Sequence, residues 1–231
     1  GMSRAGVDWR EVTSVRDVVR EWPPQGAFTH FHSAESDDGS AHAQVGRFFA
    51  ALAEIGTPIP FLHGDNSAAA ALAVDASGRW SAIRPGVFLY GVGRELGINP
   101  QPVVSLRARV VDLRWIEPGD SVSYGATYHA RRKSRIATVA VGYGDGYPCS
   151  LSNRATAMLN GNPISQRGLV TMDMTMFDVT EVACSIGDVV TLMGGDGGEA
   201  LTVEGVARTA DMSPYELLTG LSERLERRFD A

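Results

Sequence analysis

Lysine is almost missing from this chain. Of its 21 basic residues only Lys133 is a lysine, and the formal net charge is −6. A chain of that balance has no global attraction for nucleic acid or for an anionic membrane surface, although a local basic site remains possible. Cysteine is scarce too. Cys149 and Cys184 are the only two among 231 residues and show no metal-type spacing, so neither a disulfide framework nor a cysteine metal cluster is expected. A reducing, cytoplasmic setting is the default. No apolar run is long enough to cross a bilayer, and no signal peptide is visible. Gly1-Met2 reads either as a start at Met2 preceded by one extra residue or as native sequence.

What is present is enough for a core: hydrophobic residues make up 44% of the chain. The first ~100 residues alternate helical and strand-like patterns. Residues 9–21 place Val12, Val15, Val18 and Val19 at helical spacing. Residues 41–55 predict an amphipathic helix with Val45, Phe48, Phe49, Leu52 and Ile55 on one side. Short apolar runs at 27–31, 59–63 and 87–90 read as buried strands, and Asn66 or Ser67 is placed to cap the alanine-rich helix that follows. Strands separated by helices predict three or four parallel βα units. A closed eightfold barrel needs about 250 residues, and an open half-barrel would leave a sheet edge and apolar faces bare, so this segment reads either as a small open sandwich or as a fold missing its front part.

After Pro100 the texture changes. Strands are predicted at 103–113, 134–143, 156–159, 168–178 and 189–193, with turns at 117–120, 160–163 and 186–188. Asn160-Gly161 between apolar runs signals a tight hairpin. Ser213-Pro214-Tyr215-Glu216 is a capping box with proline at the first helical position, which predicts a terminal helix. The expected organisation is an α/β domain over 1–97 followed by a mainly β domain over 98–231.

Three runs in the second domain carry chemistry: VSYGATY (122–128), VGYGDGYP (141–148) and VTMDMT (170–175). Each sets a polar or aromatic residue beside glycine or methionine, at the end of a strand-like stretch, and so presents a side chain from a β-rim. Those residues are Tyr124, Tyr143 and Asp173. In the first domain, THF (29–31), HGDNSA (63–68) and RPGVFLYG (84–91) each end or begin an element. Taken singly, His30 reads as a core histidine, His63 to Ser67 as an ordinary N-cap or an anion site, and Arg84 as a surface charge. Only Asp173, a carboxylate in an apolar run, demands a partner.

In their order and spacing, together with GMSRAG (1–6), these motifs resemble the alanine racemases, pyridoxal-phosphate enzymes of fold type III. The likeness runs along almost the whole chain. It implies a fold in which the first domain is the later half of a TIM barrel and the second is a β-domain reaching into a partner subunit's active site. It implies alanine as substrate, a homodimer with shared sites, and pyridoxal 5'-phosphate as cofactor. His30 would lie against the pyridine ring, Asn66, Ser67 and the Val87 amide at the phosphate, and Arg84 at the pyridine nitrogen with His63 holding it. Arg4 would meet the cofactor's phenolic oxygen and the substrate carboxylate. From the partner would come Tyr124 as acid/base, Tyr143 near the phosphate and entry channel, and Met172 with Asp173 on the substrate carboxylate side. No metal is implied.

A phenol has a reference pKa of about 10, so a tyrosine base works only where neighbours tune it. Arginine at the pyridine nitrogen keeps that nitrogen unprotonated and weakens the electron sink, which suppresses side reactions. Two departures from the family pattern stand out. The lysine that carries the cofactor belongs to a motif not found in these 231 residues, and Lys133, in the charged 131–135 loop, reads as a solvated surface residue. The isolated chain is therefore expected to be inactive. In the tail, Glu223 stands where the family places a tyrosine. A carboxylate beside a phosphate is unfavourable, so either that helix is shifted here or the phosphate site is altered.

Overall fold

The computed structural model describes residues 1–93, 96–195, 198 and 201–229. It divides into two compact units, one of residues 1–89 and 93–100 and the other of 90–92 and 101–231.

The first unit is α/β. A 3-10 turn at Val12–Val15 leads into α1 (Arg16–Glu21), followed by β1 (Gly26–Phe28), α2 (Ser40–Ile55), β2 (Phe61–His63) and α3 (Ser67–Ala71). β1 and β2 pair in parallel, with Phe28 opposite His63. This is fewer strands than the three or four predicted. The run at 87–90 makes a 3-10 turn instead of a strand: the Leu89 amide turns back onto the Gly86 carbonyl, and among the described residues no strand pairs with it. The core gathers Phe31, Ala34, Ala41, Val45, Ala69 and Val74, with Phe49 and Trp80 packed against them. α2 ends at Gly56, whose φ of 70° makes a left-handed cap that glycine adopts without strain. The bare faces anticipated for a partial barrel are there: Trp22 is 74% exposed and Phe28 63%, and Phe61 and Ile83 are also exposed.

The second unit is built on a closed antiparallel barrel. Its strands are β3 (Leu106–Ile116), β6 (Ser134–Val139), β7 (Thr156–Leu159), β8 (Asn162–Gln166), β9 (Thr175–Asp178) and β10 (Val189–Met193), in the order β10-β3-β6-β9-β8-β7. Closure leaves no barrel edge unpaired. Alternate residues fill the interior: Val110, Val139, Leu159, Ile164, Phe177 and Leu192 are all fully buried. Asn160 and Gly161 turn β7 into β8 with φ of 50° and 76°, both positive as a type I′ turn requires. A small hairpin, β4 (Ser121–Val122) with β5 (Tyr128–His129), stands apart from the barrel. α4 (Val203–Thr209) and α5 (Pro214–Thr219) pack on each other. The Ser213 hydroxyl accepts from the Glu216 amide at 3.1 Å, and Pro214 occupies the first helical position.

Two expectations for this unit are corrected. The strand predicted at 168–178 begins only at Thr175. Before it, the Thr171 amide donates to the Met174 carbonyl at 3.0 Å and the Thr171 hydroxyl to the same oxygen at 2.8 Å. That closes a tight turn with Met172 and Asp173 at its tip. Over its described residues the arginine-rich tail is not helical: α5 stops at Thr219, and the Ser222 amide is drawn onto the Asp145 carbonyl at 3.0 Å, so Glu223 lies in a turn beyond α5.

Candidate active-site residues

Arg84 organises the first set. Its guanidinium reaches His63 Nδ1 at 2.5 Å, the Thr29 carbonyl at 3.0 Å, the Gly64 carbonyl at 3.0 Å and His30 Nδ1 at 3.2 Å. Its own amide donates to the Asp65 carbonyl at 2.8 Å. These partners come from the ends of β1 and β2, so the parallel pairing of those strands is what brings THF and HGDNSA to one arginine. Gln44 on α2 fastens the first motif from behind, donating to Thr29 Oγ1 at 2.8 Å and to the His30 carbonyl at 2.7 Å.

An arginine has only protons to give. Both histidine Nδ1 atoms therefore accept, and each ring keeps its remaining proton on Nε2. The electrostatics agree. Burial, then the charges of Arg84 and Arg4, hold His30 below its ordinary value, and burial followed by Arg84 does the same for His63. Asp65 is pushed the other way, first by burial and then by Asp75.

A stability prediction follows. A histidine with a lowered folded-state pKa is protonated first in the unfolded chain. Its stabilisation is complete above the ordinary value of 6.5 and is lost as pH falls from there through the lowered folded values. The melting temperature of the first unit is thus expected to drop between about pH 7.5 and about pH 5.5. Asp65 contributes with the opposite sign, so the comparison belongs in the Asp65→Asn background, where the drop persists and is reduced by His63→Gln.

Asn66 and Ser67 open α3. Asn66 is the N-cap, its Oδ1 accepting from the Ala69 amide at 2.9 Å. The Ser67 hydroxyl accepts from the Gly86 amide at 2.9 Å, which brings HGDNSA beside RPGV, and Val87 begins the 3-10 turn that follows. Arg4 is exposed, and its charge bears on His30.

The second set lies in the β-barrel unit. Tyr124 sits on a 3-10 turn between β4 and β5 and is 74% exposed. Ser123 just before it has φ 67° and ψ −178°, a conformation nearly confined to glycine. The Ser123 hydroxyl is tied to the Leu169 carbonyl at 2.7 Å. Opposite it, Gly168 must be glycine, since a Cβ there would fall 2.5 Å from the Val122 carbonyl. Asn153 steadies the same place, donating to Thr127 Oγ1 at 3.0 Å and accepting from the Gly168 amide at 2.6 Å.

The other end of this loop meets the Tyr143 turn. The Tyr143 amide donates to the Thr171 carbonyl at 2.9 Å and the Gly144 amide to the Met172 carbonyl at 2.8 Å. All three motifs of the second domain thus converge on one loop, 168–174. Gly142 allows the approach: a Cβ would lie 2.1 Å from the Thr171 carbonyl. Gly142→Ala is expected to cost about 3 kcal/mol or more, read by denaturant unfolding.

Sequence reasoning missed Gln44, Asp145 and Arg224. Asp145 was visible inside VGYGDGYP. Arg224 had no local signal beyond lying in an arginine-rich tail. Lys133 is where it was expected, exposed and paired with Glu117 at 2.9 Å. Among the described residues no cluster could hold a metal ion, and no helix is long and apolar enough to cross a membrane.

Comparison with known proteins adds a name to this geometry. The family "Alanine racemase, N-terminal domain" matches residues 1–94, and "Alanine racemase, C-terminal domain" matches residues 103–229. The alanine racemase of Geobacter sp. (strain M21) is 39% identical over 99% of this chain and that of Halothermothrix orenii 37% over 99%. The chain spans 64% and 63% of their lengths. Among solved structures, alanine racemase from E. faecalis matches with a TM-score of 0.87 at 32% identity, over 97% of this chain and 62% of that one. Alanine racemase from Bartonella henselae, with covalently bound pyridoxal phosphate, matches with a TM-score of 0.86 at 29% identity, over 99% of this chain and 64% of that one. By sequence and by fold, the chain belongs to the alanine racemase family.

Proposed function

We propose that the complete gene product interconverts L- and D-alanine with pyridoxal 5'-phosphate, in the cytoplasm, supplying D-alanine for cell-wall peptidoglycan. The observation that carries the reading is the Arg84 hub: a fixed cation whose neighbours are two neutral histidines and two carbonyls. Such a cation suits a ring nitrogen that accepts a hydrogen bond and stays unprotonated.

The remaining donors fit the cofactor as well. Ser67 accepts from Gly86, so its own hydroxyl proton is left to give, and the Val87 amide lies next along the chain. His30 offers a neutral ring to stack. When bound, the cofactor acts as an electron sink that acidifies the α-proton of the amino acid. The chain's own work is to grip it through Arg84, His30, Asn66, Ser67 and Val87, with His63 holding Arg84. Tyr124 moves a proton at the α-carbon. Arg4, Met172 and Asp173 bear on the substrate carboxylate, and Tyr143 on the phosphate and entry channel. The two sets serve one reaction in a homodimer. The opposite face of the α-carbon needs a second base, and Lys133, exposed and paired with Glu117, is not assigned to it.

Chiral chromatography of L-alanine incubated with the complete gene product and pyridoxal phosphate tests the proposal. Conversion to a racemic mixture is expected, with other small amino acids turned over less well. A preference for serine or another substrate would move the assignment to a sibling racemase. The 231-residue chain alone is expected to show no conversion. Its exposed apolar residues on the β1-β2 pair favour a second reading for that shorter form, a non-catalytic dimerising fragment. Light scattering would show dimers or larger species.

A further inference from the structure

Arg224 sits on the turn just after α5. Its guanidinium reaches Asp173 Oδ1 at 2.5 Å and Asp145 Oδ1 at 3.4 Å. The two carboxylates belong to different loops. Asp173 tips the 168–174 turn. Asp145 closes the Tyr143 turn, its Oδ2 accepting from the Gly142 amide at 3.0 Å. Gly144 leaves the path open, since a Cβ there would lie 2.4 Å from an Arg224 terminal nitrogen. The Ser222 amide, two residues earlier, binds the Asp145 carbonyl at 3.0 Å and so anchors the arginine's own backbone to the same turn.

From this we infer that Arg224 is a positioning residue of the substrate-carboxylate side: it locks the Met172–Asp173 tip onto the Tyr143 turn and neutralises the Asp173 carboxylate. The second part has a chemical reason. An amino-acid substrate brings its own carboxylate, and an uncompensated Asp173 nearby would repel it. Arginine held against the tip offsets the Asp173 charge there and weakens that repulsion, although Asp145 shares the same cation. It also restrains the tip, because displacing the guanidinium would leave both carboxylates without a cation, Asp145 keeping only its Gly142 amide.

The kinetic part of the inference rests on the racemase reading, and the structural part does not, so the test has two arms. In the complete gene product, Arg224→Gln is expected to speed amide hydrogen exchange in segments 141–147 and 168–175 by about tenfold. In the same variant KM for alanine rises about tenfold while kcat stays within about threefold, the pattern of lost ground-state binding. In the double variant Arg224→Gln/Asp173→Asn KM falls at least about threefold from the value of the Arg224→Gln variant, since removing the stranded charge removes the repulsion. Unchanged exchange in both segments overturns the inference. So does an effect on kcat alone, or a KM that Asp173→Asn fails to lower in the Arg224→Gln background. If the parent does not turn over alanine at all, the functional proposal has failed and the exchange arm still decides whether Arg224 clamps the two loops.

Discussion

Tyr124→Phe in the complete gene product lowers turnover of L-alanine by about a hundred- to ten-thousandfold, the range that a positioned acid/base contributes. Folding should be untouched. The side chain is 74% exposed, and its turn is held by Ser123, Gly168 and Asn153 rather than by the phenol. The melting temperature is therefore expected to stay within about a degree, because surface substitutions away from such supports are close to neutral. A large fall in activity with no change in melting separates a catalytic phenol from a structural one. The structure adds a reason for the rate to depend on position as well as chemistry. Ser123 is held in a conformation that a serine adopts only under constraint, and one hydrogen bond to Leu169 supplies part of that constraint. Ser123→Ala is accordingly expected to lose part of the activity although the phenol remains.

The second large effect concerns stability. Arg84→Ala is expected to cost about 2–4 kcal/mol, since each hydrogen bond of a charged group contributes roughly 1.5–3 kcal/mol and bonds sharing one half-buried guanidinium do not add in full. What is lost is the tie between the ends of β1, β2 and the segment before Val87. Arg84→Lys should recover little, because an ammonium is a point charge and cannot span two carbonyls and two imidazoles from one plane. Denaturant unfolding followed by tryptophan fluorescence reads this directly, as Trp9, Trp22 and Trp80 of the protein's 4 tryptophans lie in the first unit. Cofactor affinity should fall in both variants. A variant that melts normally would show that the hub is not a structural support.

What could be read from sequence was what local chemistry encodes. The two-residue turn at Asn160-Gly161, the caps at Asn66 and Ser213, α2, and the strands β7 and β10 all follow from short-range preferences, and the structure has them where expected. The motif residues of each unit stood out only through their joint order and spacing; taken singly, Arg84 read as a surface charge, and the structure half-buries it among four acceptors. Less legible was anything set by partners distant in sequence. β8 carries Pro163 and polar residues at 162–166 and makes sense as a strand only between β7 and β9. Residues 87–90 are apolar enough for a strand but pair with no strand among the described residues. VTMDMT continues an apolar, strand-like stretch, whereas Thr171 folds it into a turn and so puts Asp173 at an exposed tip rather than in a core. That placement answers why a carboxylate stands among methionines. Its partner, Arg224, is 51 residues away and was invisible to any local rule. Glu223, at a position where the resemblance implies a tail helix, lies past the end of α5, where the bond from Ser222 to Asp145 has already turned the chain.

The central claim is that Tyr124 serves one face of the α-carbon and a different group serves the other. Solvent deuterium incorporation by the Tyr124→Phe variant of the complete gene product, followed separately from pure L-alanine and pure D-alanine, tests it most directly. The account predicts that one enantiomer exchanges its α-hydrogen with retained configuration, while inversion is lost from both. Exchange of both enantiomers at equal rates, or racemisation at the parent rate, would contradict it.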